Sequence, residues 1–281
     1  MRSRIIEYLN NTLDSDLFGY LIPTGTVMHV CGMLVVMWLM IRRCEKTGLS
    51  AYHVLGGCIY GMIGGLIGAR IFFILQNPEL FVESPLRLLN FGGGTTSWGA
   101  YLGGTAAFIS YFKYKNLPVL NYLDLLGSAL GLGPFFGRLS CFLRGCCYGN
   151  LSDLPWAVRY PADTFIFQYQ LKSGLLKISD SLSLAVHPVQ LYHAAAALLV
   201  FMLVSRFWQK YHALAGLTFA FYWWLYALLR FGIEFFRGDV PRIAFVNLTL
   251  AQVICVGLIM VIPIIFYHKR RQFLVHQNAG G

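Results

Sequence analysis

Apolar residues in this chain come in long blocks rather than in alternating stripes. Seven blocks, at 22–41, 52–75, 98–112, 122–142, 188–207, 214–231 and 245–267, are interrupted by short polar connections. The third is the shortest; the others run for about 17 to 25 residues, which as helix crosses a hydrocarbon layer of roughly 30 Å. The pattern predicts an all-α polytopic membrane protein with seven transmembrane helices, a single domain over 1–281. Orientation follows from the basic residues. Arg42, Arg43 and Lys46 follow the first block, Lys113 and Lys115 the third, Arg206 and Lys210 the fifth, and Lys269, Arg270 and Arg271 the seventh. With seven spans these clusters share one side, which is then cytoplasmic; the N-terminus lies outside and the C-terminus inside.

Composition agrees with the pattern. Of 281 residues, 57% are hydrophobic and 12% charged, outside the usual range of soluble domains. The net charge of +10 would suit nucleic acid, but the basic residues sit at the ends of apolar blocks. There they report topology and contact with anionic headgroups, so no nucleic-acid partner is expected. The first twenty residues carry Arg2 and Arg4, then Glu7, Asn10, Asn11, Asp14 and Asp16, and lack the apolar core of a cleavable signal. They are expected to lie on the surface as a short amphipathic segment. Glycines four apart, Gly61 with Gly65, Gly64 with Gly68, Gly127 with Gly131 and Gly133 with Gly137, predict close packing of the second and fourth spans near a bundle centre.

The polar residues are less evenly spread. The segment GRLSCFLRGCCYGN at 137–150 carries Arg138 into an apolar span and leaves it through Arg144 and three cysteines. A guanidinium stays charged at any depth, so Arg138 must be paired or hydrated. By parity it lies at the outer end of its span. An outer-side segment at about 143–186 follows, too long for a turn and suggestive of a lid or headpiece. His187, Gln190 and Tyr192 open the fifth span on that side, and Arg230, Glu234 and Arg237 close the sixth on one helical face. Arg70 and the stretch FGGGTTSWGA at 91–100, which contains Trp98, approach the same layer. Singly, each has a plain structural explanation: an intrahelical ion pair for Arg230 and Glu234, a helix cap for His187 and Gln190. Together they predict a site in the outer-leaflet layer.

Seven cysteines are present. Cys31, Cys58 and Cys255 fall within apolar spans and Cys44 at a cytoplasmic end, where small buried residues are expected. Cys141, Cys146 and Cys147 face the oxidising side, where a disulfide from Cys141 to one of the others, simple packing, or a reactive thiol beside Arg138 and Arg144 are the alternatives. The spacing C-x4-C-C lacks C-x2-C and is a poor zinc pattern, so no metal and no cofactor are expected.

The segments GRLSCFLRG, HPVQLY at 187–192 and RFGIEFFRGD at 230–239 resemble the prolipoprotein diacylglyceryl transferases, and the resemblance runs through all seven spans in order. It implies a seven-helix enzyme of the bacterial cytoplasmic (inner) membrane. Such an enzyme would take diacylglyceryl from the anionic phospholipid phosphatidylglycerol and attach it to the lipobox cysteine thiol of a prelipoprotein, contacting its signal peptide. Arg138, Arg230 and Glu234 match the family's polar residues. Trp98 stands where the family has a histidine, Cys141 where it has asparagine, Cys146 where it has glutamate and Cys31 where it has tyrosine. The catalytic set is therefore Arg138, Arg230, Glu234 and, as base for the acceptor thiol, His187. Arg144, Arg237, Gln190, Tyr192 and Trp98 are expected to contact substrate. The alternatives are a relative that keeps the lipid-phosphate site but uses another acceptor, or forms a covalent intermediate on Cys146 or Cys147, a non-catalytic lipid-binding membrane protein, and a thiol-redox protein.

Overall fold

A computed structural model describes residues 24–79, 96–243 and 245–279. The expected amphipathic segment in the first twenty residues lies outside them, as do 91–95 of the glycine-rich stretch. The described residues form α1 (Thr24–Thr47), α2 (Ala51–Gln76), α3 (Ser97–Tyr114), α4 (Val119–Leu130), α5 (Leu132–Arg144), α6 (Phe165–Lys172), α7 (Val189–Tyr211), α8 (Leu217–Glu234) and α9 (Leu250–Ala279). Among them there is no extended strand, only isolated bridges, so the all-α expectation holds for the described residues.

Five helical segments are long and apolar enough to cross a membrane: Val27–Thr47, Ala51–Gln76, Val119–Arg144, Val189–Tyr211 and Leu250–His268. The sequence predicts seven. The two remaining blocks do form 18-residue helices, α3 and α8, but their composition is diluted. Four of the residues of α3 are Ser97, Thr105, Ser110 and Lys113, and α8 carries Arg230 and Glu234 among its aromatics.

Helix ends follow from local chemistry. Gly48 in the left-handed region stops α1, where Thr47 Oγ1 donates to the carbonyl of Cys44. Thr96 caps α3 by accepting the Gly99 amide, and beyond that helix Asn116 turns left-handed ahead of Pro118. The block at 122–142 is not one helix. It breaks at Gly131, and Pro134, which has no amide hydrogen, cannot bond the Leu130 carbonyl across the break.

Backbone contacts divide the chain into two compact units, Met37–Leu126 and the pair of segments Met1–Val36 with Gly127–Gly281. In the first, α2 and α3 pack glycine on glycine. Gly64 and Gly68 lie against Gly103 and Gly99, and a Cβ at Gly103 would stand 2.9 Å from the Cα of Gly68. The α2 glycines thus serve α3, a partner the sequence analysis did not identify, although Gly99 and Gly103 stand four apart within the third block. Ring contacts continue the seam: Phe112 stacks on Tyr122 at 4.1 Å.

In the second unit α7 packs against α5 and α8, and α8 against α9. Gly127 gives way to the backbone of Phe219 in α8, and Gly131 to the Ala197 carbonyl in α7. Gly133 has nothing within 4 Å of a Cβ position, so the second glycine pair of that span is not a packing pair. Val200, Val204 and Tyr222 form the buried core, flanked by Leu130 and Tyr226. Between α5 and α7 the chain folds back in bridges Leu151 to Val186 and Pro161 to Leu182 around a core of Tyr160, Ile166 and Val186, with α6 on it.

The glycine seam gives a direct test. Gly103→Ala is expected to lower unfolding stability in detergent by about 1–3 kcal/mol, the usual cost of overpacking, while Gly133→Ala leaves it unchanged. Equal behaviour of the two variants in denaturant titration would contradict the packing described.

Candidate functional site

The site grows from the C-terminal end of α5. Gly145, left-handed at φ 66°, ends the helix, and the Cys146 amide donates back to the Cys141 carbonyl at 3.2 Å. This six-to-one bond is the closing contact of a Schellman turn, and it brings residue 146 back over residue 141. Only glycine fits at 145: a Cβ there would lie 2.7 Å from a Tyr160 ring carbon and 2.8 Å from Thr164 Cβ. Cys147 is then left-handed itself, at φ 57°, which is unfavourable for a residue with a side chain. The result is convergence: the sulfurs of Cys141, Cys146 and Cys147 all lie within 4.8 Å of one another, half-buried, and all three are free thiols.

The chain beyond is stitched on both sides. Gly149 donates its amide to the His187 carbonyl (3.2 Å), His187 donates to the Asn150 carbonyl (3.0 Å), and the Asn150 amide donates to the Phe236 carbonyl (2.9 Å). Gly149 also bridges Arg237, and the Gly238 amide donates to the Tyr148 carbonyl. One short segment thereby joins the start of α7 and the end of α8. A Cβ at Gly149 would meet His187 Cβ at 2.6 Å, so the close approach requires glycine.

Gln190 is fully buried, and its Nε2 donates to the Cys146 carbonyl (2.7 Å) and to Tyr160 Oη (2.9 Å). Sequence analysis expects it to touch substrate; in the structure it is a strut under the thiol turn. His187 Nδ1 lies 3.3 Å from Tyr192 Oη, which accepts a hydrogen bond from Trp156 Nε1 at 2.8 Å, and Phe236 packs on the His187 ring at 5.2 Å. His187 and Tyr192 therefore stand together in an aromatic corner.

The α8 end carries the charges. Arg230 is buried, donates to Tyr226 Oη (3.2 Å) and pairs with Glu234 (3.5 Å). Glu234 is 1% exposed and accepts from Thr249 Oγ1 at 3.2 Å. Thr249 and Gln252 form a reciprocal cap at the start of α9: the Thr249 amide donates to Gln252 Oε1 and the Gln252 amide to Thr249 Oγ1. The signature T-x-x-Q was legible and went unused. Arg237 spends its fork on Asp239, at 2.9 and 2.8 Å, and reaches Glu234 only at 3.9 Å. Burial works against the Arg237 charge, but the hydrogen bonds and charge of Asp239 outweigh it and hold the guanidinium above its ordinary value. Arg237 is thus a braced charge rather than an open fork.

Arg138 differs. It is half-buried and makes no hydrogen bond or ion pair with another described residue. Its charge acts on Cys141, Cys147 and His193, and those of Arg230 and Arg237 also act on His193. His193, which the sequence analysis did not single out, is 4% exposed, with an Nε2 that has no hydrogen-bond partner among the described residues. Among the thiols, hydrogen bonds from Cys141 and then Cys146 draw Cys147 well below the usual thiol range against burial, with Arg138 and Arg237 adding to the effect. Cys146 is pushed up by its hydrogen bonds to Cys141 and Cys147 and by burial.

The structure therefore brings the charges of Arg138, Arg230 and Arg237 to bear on His193, pairs Glu234 with Arg230, sets Arg138 and Arg237 to act on Cys147, and holds the thiol turn on Gln190. It does not gather everything. Arg144, in the last turn of α5, is exposed. Trp98 lies in the first turn of α3; its side chain is outside the described residues. Of the other cysteines, Cys44 and Cys255 are buried as expected and Cys58 half-buried, whereas Cys31 is exposed on α1.

The fold and this cluster define a polytopic membrane protein with guanidinium groups held among its helices. Its sequence matches the profile of a family described as prolipoprotein diacylglyceryl transferase over residues 19–268. A phosphatidylglycerol–prolipoprotein diacylglyceryl transferase of Clostridium tetani is 31% identical over 227 residues, 81% of this chain and 85% of the relative. Proteins of the same name from Corynebacterium efficiens (30% identical; 77% of this chain, 68% of the relative) and Clostridioides difficile (28%; 85% and 87%) are also similar. The chain belongs to the prolipoprotein diacylglyceryl transferase family.

The Gln190 strut is testable apart from any activity. Gln190→Met keeps the volume and removes both donors, leaving the Cys146 carbonyl and Tyr160 hydroxyl unsatisfied. It is expected to cost about 1–3 kcal/mol in detergent unfolding.

Proposed function

We propose that this chain transfers diacylglyceryl from phosphatidylglycerol to the lipobox cysteine thiol of prelipoproteins. The observation that carries this is Arg138: a half-buried guanidinium with no partner among the described residues, beside the braced Arg230–Glu234–Arg237 group. In the reaction the acceptor sulfur attacks the glyceryl carbon, an S–C bond forms, and the C–O bond to phosphate breaks. The electron pair goes to the phosphate, glycerol phosphate leaves, and the thiol proton passes to a base. Charge on the phosphate grows from one toward two as the bond breaks. Arg138 and Arg230 aimed at it favour the transition state over the diester, and exclusion of water strengthens both interactions. Glu234 orients Arg230, and Asp239 with Glu234 positions Arg237. His187 is the base, its Nδ1 oriented by Tyr192 and its Nε2 left for the proton. Arg144 is assigned to contact with the lipid headgroup, and Trp98, separately, to contact with substrate.

The reading extends to topology: seven spans in the bacterial cytoplasmic membrane, with α3 and α8 crossing despite their polar residues, the N-terminus and the 143–186 segment outside, and the C-terminus cytoplasmic. The basic clusters after alternate spans support it. Reporter fusions check this directly. One after Gly281 is expected in the cytoplasm and one inserted near Ser173 outside; both on one side would mean that the span count is wrong.

In liposomes containing phosphatidylglycerol and a lipobox peptide, Arg138→Ala and Arg230→Ala are each expected to cut transfer by roughly a hundredfold or more, the usual cost of losing a transition-state charge partner. Lysine at either position should restore little, because an ammonium does not reproduce the planar fork. Near-normal turnover of both alanine variants would remove these arginines from the mechanism. Complementation of a bacterium depleted of its own transferase tests the activity as a whole.

A further inference from the structure

We propose that Cys141, Cys146 and Cys147 form a three-thiolate site for zinc, whose open fourth position takes the acceptor thiol. The inference rests on the transferase reading for the identity of that fourth ligand. The spacing C-x4-C-C argues against a metal when it is read as sequence. The structure alters the argument in two local steps. The Schellman turn at Gly145 folds Cys146 back on Cys141, and left-handed Cys147 turns the third thiol to the same point, bringing the three sulfurs within 4.8 Å of one another. Zinc–sulfur bonds of about 2.3 Å in a tetrahedron put sulfurs about 3.8 Å apart, so closure needs side-chain movement on the order of 1 Å.

The surroundings suit such a centre. The turn is held from below by Gln190 on the Cys146 carbonyl and from the side by the Gly149 bonds to His187, so the ligands are carried on fixed backbone. Three thiolates and one Zn2+ carry a net single negative charge, and the charges of Arg138 and Arg237 act at this sulfur cluster. The three cysteines are half-buried and supply three ligands rather than the four of a structural four-cysteine site, which leaves the fourth position of a tetrahedron to be filled from outside the trio.

The chemistry fits the proposed reaction. A thiol that coordinates zinc gives up its proton at neutral pH, and the metal acts as the generator of a nucleophile. The acceptor thiol binds as the fourth ligand and releases its proton to His187. Its sulfur then forms the S–C bond while the C–O bond breaks and the phosphate takes the electron pair. The thioether product is a weak ligand and yields its place to the next thiol. No oxidation state changes.

The test uses the full chain in detergent with phosphatidylglycerol, purified anaerobically through a tag that does not bind metal, with cobalt(II) as spectroscopic probe and zinc measured by mass spectrometry. One metal ion per chain is expected, with sulfur-to-cobalt charge-transfer bands. Cys141→Ser, Cys146→Ser and Cys147→Ser should each weaken binding by roughly tenfold or more. A lipobox peptide should shift the ligand-field bands, and its serine counterpart should not. Failure of the reduced protein to bind cobalt, a disulfide among the three cysteines in anaerobic protein, or bands indifferent to the thiol peptide would each overturn the proposal. Transfer, assayed separately, distinguishes the two readings. A wild-type chain that transfers equally well after chelation, with the serine variants active, sinks the zinc centre and leaves the transferase. A wild-type chain inactive with and without zinc sinks the transferase and with it the fourth-ligand role. Chelation and zinc readdition on the wild-type protein keep the test valid if a serine variant fails to fold.

Discussion

Arginine keeps its charge at any depth, so a guanidinium among apolar helices has to be answered by an acceptor, and the acceptor has to be held in turn. Arg230 is answered by Glu234, which is itself almost wholly removed from water. Glu234 needs a further donor and takes it from Thr249, whose hydroxyl also caps α9 together with Gln252. Gln252 reaches back to the Phe231 carbonyl in α8. Placing one positive charge in α8 therefore fixes where α9 begins and how it meets α8. Arg237, seven residues on and just beyond the end of α8, repeats the pattern with Asp239, and because its backbone bridges Gly149, the same charges also locate the turn that carries the cysteines.

Much of this was legible in the chain. The apolar blocks located the helices, because a run of that length has few other ways to satisfy its backbone. Arg138, Arg230 and Glu234 stood out as charges where charge is costly, and the i, i+4 spacing of the latter two is an ion pair in the structure. What escaped depends on geometry that spacing does not encode. The convergence of Cys141, Cys146 and Cys147 needs a left-handed residue at 147, where no glycine or asparagine signals one. Gln190 looked like a polar cap at the start of a helix, yet it is fully buried, with its Nε2 on the Cys146 carbonyl and Tyr160 Oη. Gly99 and Gly103 have the four-residue spacing of the other pairs, but spacing alone does not say which pair meets which.

The thiol turn shows how side-chain identity and backbone geometry are shared out. Its shape is set by residues that carry no functional group: Gly145 and Gly149, each filling a place that a Cβ would clash with. Most of the hydrogen bonds that hold it are backbone to backbone, with side-chain bonds from Gln190, Asn150 and the Cys146 thiol beside them. Such a turn can accept different side chains at 141, 146 and 147 without losing its course. That is consistent with a family member that places thiols where its relatives, by resemblance, place an amide and a carboxylate.

Arg138 and Arg230 are not equivalent members of the site. Arg230 is committed to Glu234 and Tyr226 before any ligand arrives, so its direction is fixed and little reorganisation is needed as charge develops nearby. Its charge is also partly neutralised by Glu234, which weakens its hold on a singly charged ground state. Arg138 has no such commitment among the described residues, and its unspent donors gain most from a bound anion. In the proposed reaction the division would follow from differential binding: the open arginine would supply affinity for the diester, and the braced one a fixed field that matters more as the phosphate approaches two charges. A single arginine could not do both, because a side chain free enough to receive a ligand is not held well enough to act on its transition state without moving.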